Sequence, residues 1–370
     1  MLNLPLSQIA IILLIVIPLI SALSMQFLTL YNSVGIYIGT ALMMVAWVSY
    51  GKINWKFIIY ILTFILYMLI SLYHSNGGLG SLLIFTLSIL SLQLLTNIEF
   101  NLWIKKYFQA FTGVMVFLLF FASFQYSGAR GFDYEGLVNP NTLAQLANYC
   151  FCIYVCLAQL HVNKINKILV LVLGLITLST LINCEARGAL VALVSFILLI
   201  NIPHNLLKPR LLLFFSVAVV TIGTLIPFIY LNLYEQNIQL ELFLNKPLFT
   251  GRQALWIEAF NLFEGNIWNW IFGIGSKVKL WDASTNLHNL YATVIVDFGI
   301  IGYLFYFCYV FKFIVKVCQN VANNDKAKRW FFMYIALSLI QGFTETAIFG
   351  APTIILANLG LAEAYRLTKK

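Results

Sequence analysis

The residues with the clearest chemical potential are one histidine and two arginines set at the edges of apolar stretches. His288 follows Ser284, Thr285 and Asn286, any of which would cap a helix starting there. An imidazole in the first turn of that helix feels the positive end of the dipole, which favours the neutral form a general base needs. The alternative is a hydrogen-bonded structural histidine. Arg187, in Asn183-Cys184-Glu185-Ala186-Arg187-Gly188-Ala189-Leu190, starts a helix at the end that disfavours a cation. Something anionic should compensate it, either Glu185 or a ligand, unless the side chain reaches lipid head groups. Arg252 opens a stretch, Gln253–Glu264, with Leu255, Trp256, Ala259, Phe260 and Phe263 at helical spacing and Glu258 and Glu264 among them. That pattern predicts an amphipathic helix lying on a membrane surface, with Arg252 an interface cation or a ligand contact.

Weaker signals surround these three. The break Ser127–Asn141, rich in Gly, Asn and Pro, is a loop in which Asn139-Pro140-Asn141 caps the next helix. Arg130 there either pairs with Asp133 or Glu135 or meets a ligand, and Asn139 and Asn141 are further contact candidates. Trp268, Trp270, Phe272 and Trp281 suit an interface belt. Gly273-Ile274-Gly275 lacks the third glycine and preceding strand of a dinucleotide site and predicts a tight turn exposing backbone N–H groups. Lys277 and Lys279 follow it, and Asn289 adjoins the histidine. Asp297 lies half a turn out of phase with His288 and cannot orient it. Gly299 and Gly302 favour close helix packing. The six cysteines form no CxxC pair or ligand cluster and read as small buried hydrophobes, and no metal is expected to be required.

The elements that must hold these residues are membrane helices. The chain of 370 residues is 61% hydrophobic and only 9% charged, with a mean hydropathy of +0.90. It predicts an all-α polytopic membrane protein in a single domain, residues 1–370, without a removed signal peptide. About twelve spans are expected, at 8–29, 33–50, 57–73, 80–95, 107–125, 141–161, 168–183, 188–203, 211–232, 288–315, 331–349 and 352–366. One long polar loop, 233–287, holds the short amphipathic helix. With both termini cytoplasmic, every inside break carries Lys or Arg: Lys52 and Lys56, Lys105 and Lys106, Lys164 and Lys167, Lys208 and Arg210, then the clusters at 312–329 and 366–370. Arg130, Arg187, Lys246, Arg252, Lys277 and Lys279 fall outside, where that rule gives no reason for them. Most acids, Glu345 among them, share that side. The net charge of +9 is mostly topology and gives no reason to expect nucleic acid.

Taken in order, Asn139-Pro140-Asn141, then Arg187-Gly188-Ala189-Leu190, then Gly251-Arg252 with Trp256 four residues beyond, then Gly273-x-Gly275, then His288-Asn289 with nine residues before Gly299-x-x-Gly302, resemble the O-antigen ligase and polysaccharide polymerase superfamily. The resemblance implies a glycosyltransferase with a GT-C-like membrane fold in the bacterial inner membrane. Its active site would face the periplasm and act on glycan carried by undecaprenyl pyrophosphate, inverting the anomeric carbon without metal or nucleotide sugar. Arg187 and Arg252 then look like the pair that binds pyrophosphate, and His288 like the residue that activates the acceptor hydroxyl. Membrane lipids and a chain-length regulator are the further partners implied. The Thr-Gly-Arg-x3-Trp pattern and compact length look more like the polymerases, whose acceptor is another lipid-linked glycan, than the ligases, whose acceptor is lipid A core. A lipid-linked glycan transporter is the more distant reading, and a scaffold subunit would need none of these motifs.

Overall fold

A computed structural model describes residues 5–50, 55–75, 79–126, 139–158, 164–236, 241–242, 246–247, 252–275, 287–345 and 353–369. The helices run α1 (Leu6–Ser21), α2 (Met25–Tyr50), α3 (Trp55–Ser75), α4 (Leu79–Leu95), α5 (Leu102–Ser123), α6 (Pro140–Leu157), α7 (Lys164–Asn183), α8 (Arg187–Ile200), α9 (Pro209–Glu235), α10 (Arg252–Asn261), α11 (Ile267–Phe272), α12 (Leu290–Asn320), α13 (Asp325–Tyr334) and α14 (Ile354–Thr368). A two-residue antiparallel pairing joins Glu241–Leu242 to Lys246–Pro247. The protein is an all-α multi-pass membrane protein, and the described parts of the expected apolar stretches are largely helical.

Among the described residues, five helices are long and apolar enough by themselves to cross a bilayer, Trp55–His74, Leu102–Tyr126, Ile165–Asn183, Pro209–Glu235 and Leu290–Asn323. Four shorter apolar helices accompany them. The first break lies at residues 22–24, with α2 running unbroken through Tyr31 and Asn32.

Burial sorts the helices into an inner and an outer set. α6 is buried at every position from Leu143 to Cys156, and α13 and α14 are enclosed almost as fully. A helix covered on all sides tolerates polar groups only where they find partners. Asn148 accordingly donates to the Ala189 carbonyl (2.7 Å), and Asn358 to the Ser88 carbonyl (2.8 Å). α3, α5, α7 and α9 instead each turn an exposed apolar face outward, as lipid-facing helices do. Five of the six cysteines are buried, and Cys308 is exposed.

Basic residues also close helix ends. Arg329 donates to the Val155 and Ala158 carbonyls (both 3.0 Å), closing the C-terminus of α6, and Lys328 donates to the Ile202 carbonyl just past α8 (2.6 Å). Both satisfy carbonyls that a helix end leaves open, at the dipole end that favours a cation. Arg366, near the C-terminus of α14, pairs with Glu363 and Glu99.

Two departures from regular helix shape the other end. α12 is interrupted at Gly299, where φ is +65°. Only glycine adopts this readily, and a Cβ there would also strike the Ile271 carbonyl oxygen at 2.1 Å. The Tyr67 hydroxyl shares its one proton between the Phe298 and Ile271 carbonyls (2.6 and 2.9 Å) and accepts from the Gly302 N–H (3.2 Å), serving backbone groups at the break. Gly299 is therefore a backbone break rather than one of two small residues on a packing face. Tyr67→Phe should destabilise the protein by about 1–3 kcal/mol, since it strands these buried groups. Thermal unfolding of the detergent-solubilised variant checks this as a lowered midpoint.

The second departure follows α13. Residues Ile335–Ile340 widen into a π turn, and Gln341–Phe343 tighten into a 3₁₀ turn before Glu345. Hydroxyls of Tyr149 and Tyr291 cap the Leu337 and Leu339 carbonyls (2.9 and 2.8 Å). The irregular segment ends the helix early and delivers Glu345 to the same region as the N-termini of α6, α8, α10 and α12.

Candidate active site

The motifs around Asn139, Arg187, Arg252 and His288 each lie at an N-terminal helix end, with a device that fixes it. Asn139 caps α6 through Asn141 N–H (2.9 Å) with Pro140 in the first turn, as expected from the loop sequence. Gly188 lets the start of α8 lie against the turn before Glu345, because a Cβ there would meet Thr344 Oγ1 at 1.9 Å. Trp256, one turn into α10, donates its indole N–H to the Leu287 carbonyl (2.8 Å) and so fixes the chain immediately before His288. The α10 apolar face, Leu255, Trp256 and Ala259, is buried with Phe263, Ile274, Leu287, Ala292 and Val296. It therefore packs on protein, against α9 through Phe228–Phe260 and Tyr230–Trp256 ring contacts, rather than on lipid. Trp268 on α11 is exposed.

The Gly273-Ile274-Gly275 turn also differs from expectation. Its N–H groups are used internally, Gly273 donating to Asn269 O (2.7 Å) and Ile274 and Gly275 to Val296 O (2.8 and 3.2 Å). Gly273 has φ +82° and lies so near the Asp297 backbone that a Cβ would approach it to 2.6 Å. The turn is a splint between α11 and α12, not an open anion cradle.

His288 stands outside the helix that was expected to contain it. The residues expected to cap that helix, Ser284, Thr285 and Asn286, lie outside the described residues; Asn289 is the N-cap of α12, its Oδ1 accepting from Ala292 N–H (2.7 Å). Its amide also donates to the Gly223 and Phe343 carbonyls (3.2 and 3.1 Å), so this fully buried side chain ties α9 and the Glu345 turn to α12. His288, one residue earlier, has φ +49°, a left-handed conformation uncommon for a side-chain-bearing residue. Such conformations persist where the surroundings over-determine them, and they cluster at functional sites. Glu185, two residues before Arg187, shares it with φ +48°.

The ends converge on one carboxylate. Glu345 is buried to 8% exposure, its Oε1 accepting from Asn141 Nδ2 (2.9 Å) and Arg252 Nη2 (3.3 Å) and its Oε2 lying 3.2 Å from His288 Nδ1. Arg187 is half-buried, and its charge interacts with that of Arg252 as well as with Tyr230 and Glu185. Two guanidiniums within electrostatic range of each other raise the local positive potential, and an anion would relieve their repulsion. Sequence reasoning placed Glu345 only among the outer acids and found no partner for His288. The available signal was an isolated acid at the end of an apolar run, where ionisable groups are functional by default.

Among the described residues no three His, Cys, Asp or Glu side chains gather so as to hold a metal ion. Arg130, Lys277 and Lys279 lie outside the described residues, and Glu185 is exposed beside Arg187. A family model described as O-antigen ligase matches residues 169–307. That stretch of the chain is similar to the O-antigen ligase family. The matched segment holds Arg187, Arg252, the glycine turn and His288. Asn141 and Glu345 lie outside it and are brought in by the fold. No curated protein matches the chain.

Proposed function

We propose that the protein is a glycosyltransferase that polymerises glycan repeats carried on undecaprenyl pyrophosphate, at the periplasmic face of the inner membrane. The observation that carries this reading is the meeting of Arg252, His288 and Asn141 on Glu345, with Arg187 in electrostatic range of Arg252. Arg187 and Arg252 bind the donor pyrophosphate, whose charge grows as the bond to the sugar breaks, and guanidiniums meet such oxygens bidentately. His288 accepts the proton of the acceptor hydroxyl. That oxygen bonds to the anomeric carbon from the face opposite the pyrophosphate. The carbon–oxygen bond to the carrier breaks with its electron pair passing to the leaving group, so the anomeric configuration inverts.

A second reading, transfer of the glycan to lipid A core, uses the same chemistry and agrees equally well with the O-antigen ligase description of the matching family. The Thr-Gly-Arg-x3-Trp pattern keeps polymerase first. Glycan analysis in a strain lacking the gene tests both. Lipid A core bearing a single repeat is the expected polymerase phenotype, and bare core with long lipid-linked polymer indicates ligase. A full wild-type ladder in the deletion strain overturns both readings.

A further inference from the structure

We propose that Glu345 is a positioning residue that couples donor binding to readiness of the base, an inference that rests on the transferase reading above. Its carboxylate is shared. Contacts to Arg252 (3.3 Å) and His288 (3.2 Å) are both longer than the roughly 2.7–2.9 Å of a fully formed charge-assisted hydrogen bond. Neither partner holds it alone, while Asn141 tethers Oε1 at 2.9 Å.

A pyrophosphate arriving at Arg252 competes with Glu345 for the same guanidinium, as one anion against another. When Arg252 turns to the phosphate oxygens, Glu345 loses that partner but stays tethered by Asn141, and its remaining ring partner is His288 Nδ1. A full hydrogen bond there places the imidazole proton on Nδ1 and leaves the Nε2 lone pair facing the acceptor hydroxyl. Carboxylate and imidazolium are then paired once the proton has moved. The base is thus aligned when a donor is present, and water meets a less well-oriented histidine when it is not.

The two duties separate in Glu345→Gln, which keeps the shape and removes the charge. Freed from a competing anion, Arg252 binds pyrophosphate better, whereas His288 loses the carboxylate that orients it. The expected result is a several-fold lower KM for lipid-linked donor together with a kcat lower by roughly 10²-fold or more. Initial rates of the full-length protein in nanodiscs, with thermophoretic titration of undecaprenyl pyrophosphate, measure both. A residue that merely supports the fold would weaken donor binding as it lowers rate, so weakened or unchanged donor affinity, or an unchanged kcat, overturns the proposal. If Glu345→Gln does not fold, Glu345→Asp, whose carboxylate is one methylene too short to serve both partners, is read by the same two criteria. His288→Ala run in parallel separates the failures. Wild-type turnover in that variant removes the transferase reading itself, whereas an inactive His288→Ala beside a failed Glu345 prediction removes only the coupling.

Discussion

Replacing His288 with alanine should lower turnover by about 10²–10⁴-fold while leaving donor affinity within a few fold, the range a positioned general base contributes. The structure separates the side chain from the scaffold around it. Leu287 is held by the Trp256 indole, and Asn289 caps α12 and bonds two carbonyls, so the backbone on either side keeps its anchors when the imidazole is gone. Alanine is less suited than histidine to φ +49°, at a cost of roughly 1–2 kcal/mol. His288→Asn controls for that strain, because asparagine visits this conformation readily but cannot take up a proton at neutral pH. Rates with purified lipid-linked donor, paired with undecaprenyl pyrophosphate binding, make the check. Equal loss in both variants assigns the effect to the lost base, and a rate near wild type in the asparagine variant excludes His288 from proton transfer.

The helices and the cap of α6 were legible in sequence because their signals are local. Asn139 and Pro140 start α6, the apolar spacing of Leu255, Trp256 and Ala259 builds the buried face of α10, and each depends on residues within a turn or two. What that face packs against was not legible. An amphipathic stripe on membrane-flanking sequence fits lipid and protein equally, and only the Phe228 and Tyr230 contacts decide for protein.

The position of His288 relative to its helix was missed for a related reason. Four residues capable of capping within six positions, Ser284, Thr285, Asn286 and Asn289, with Leu287 and the histidine between the last two, offer competing starts. Asn289 is fixed as the cap by an amide that also donates to the Gly223 and Phe343 carbonyls. Glu345 was hidden more deeply, since its approach depends on a π turn whose carbonyls are capped by Tyr149 and Tyr291 from two other helices. It depends also on Gly188 and Gly342 admitting close contact with Thr344 and Leu290. No periodicity within one segment reports any of these.

The two arginines should prove non-additive. Arg187→Ala or Arg252→Ala alone removes charge-assisted hydrogen bonds to a group gaining negative charge, a loss of about 10²–10³-fold in kcat/KM for each. If the two guanidiniums grip one pyrophosphate, removing either lets the anion shift, and the second replacement then removes an interaction already compromised. The double variant should thus fall short of the product of the two losses, with a coupling of about 0.5–3 kcal/mol expected of groups sharing a partner. Arg252→Lys should recover only part of the loss, because an ammonium supplies charge without the planar fork. The same rate and binding measurements make the check. Strict multiplication of the two effects would place Arg187 and Arg252 on different anions, whereas sub-multiplicative loss together with raised donor KM is the signature of a shared one. Arg252 carries one further distinction that Arg187 does not: its loss also strips Glu345 of a cation. Arg252→Ala should accordingly lower donor affinity and leave the Glu345 contact to His288 uncontested, so its kcat falls less than its kcat/KM, while Arg187→Ala lowers both more evenly.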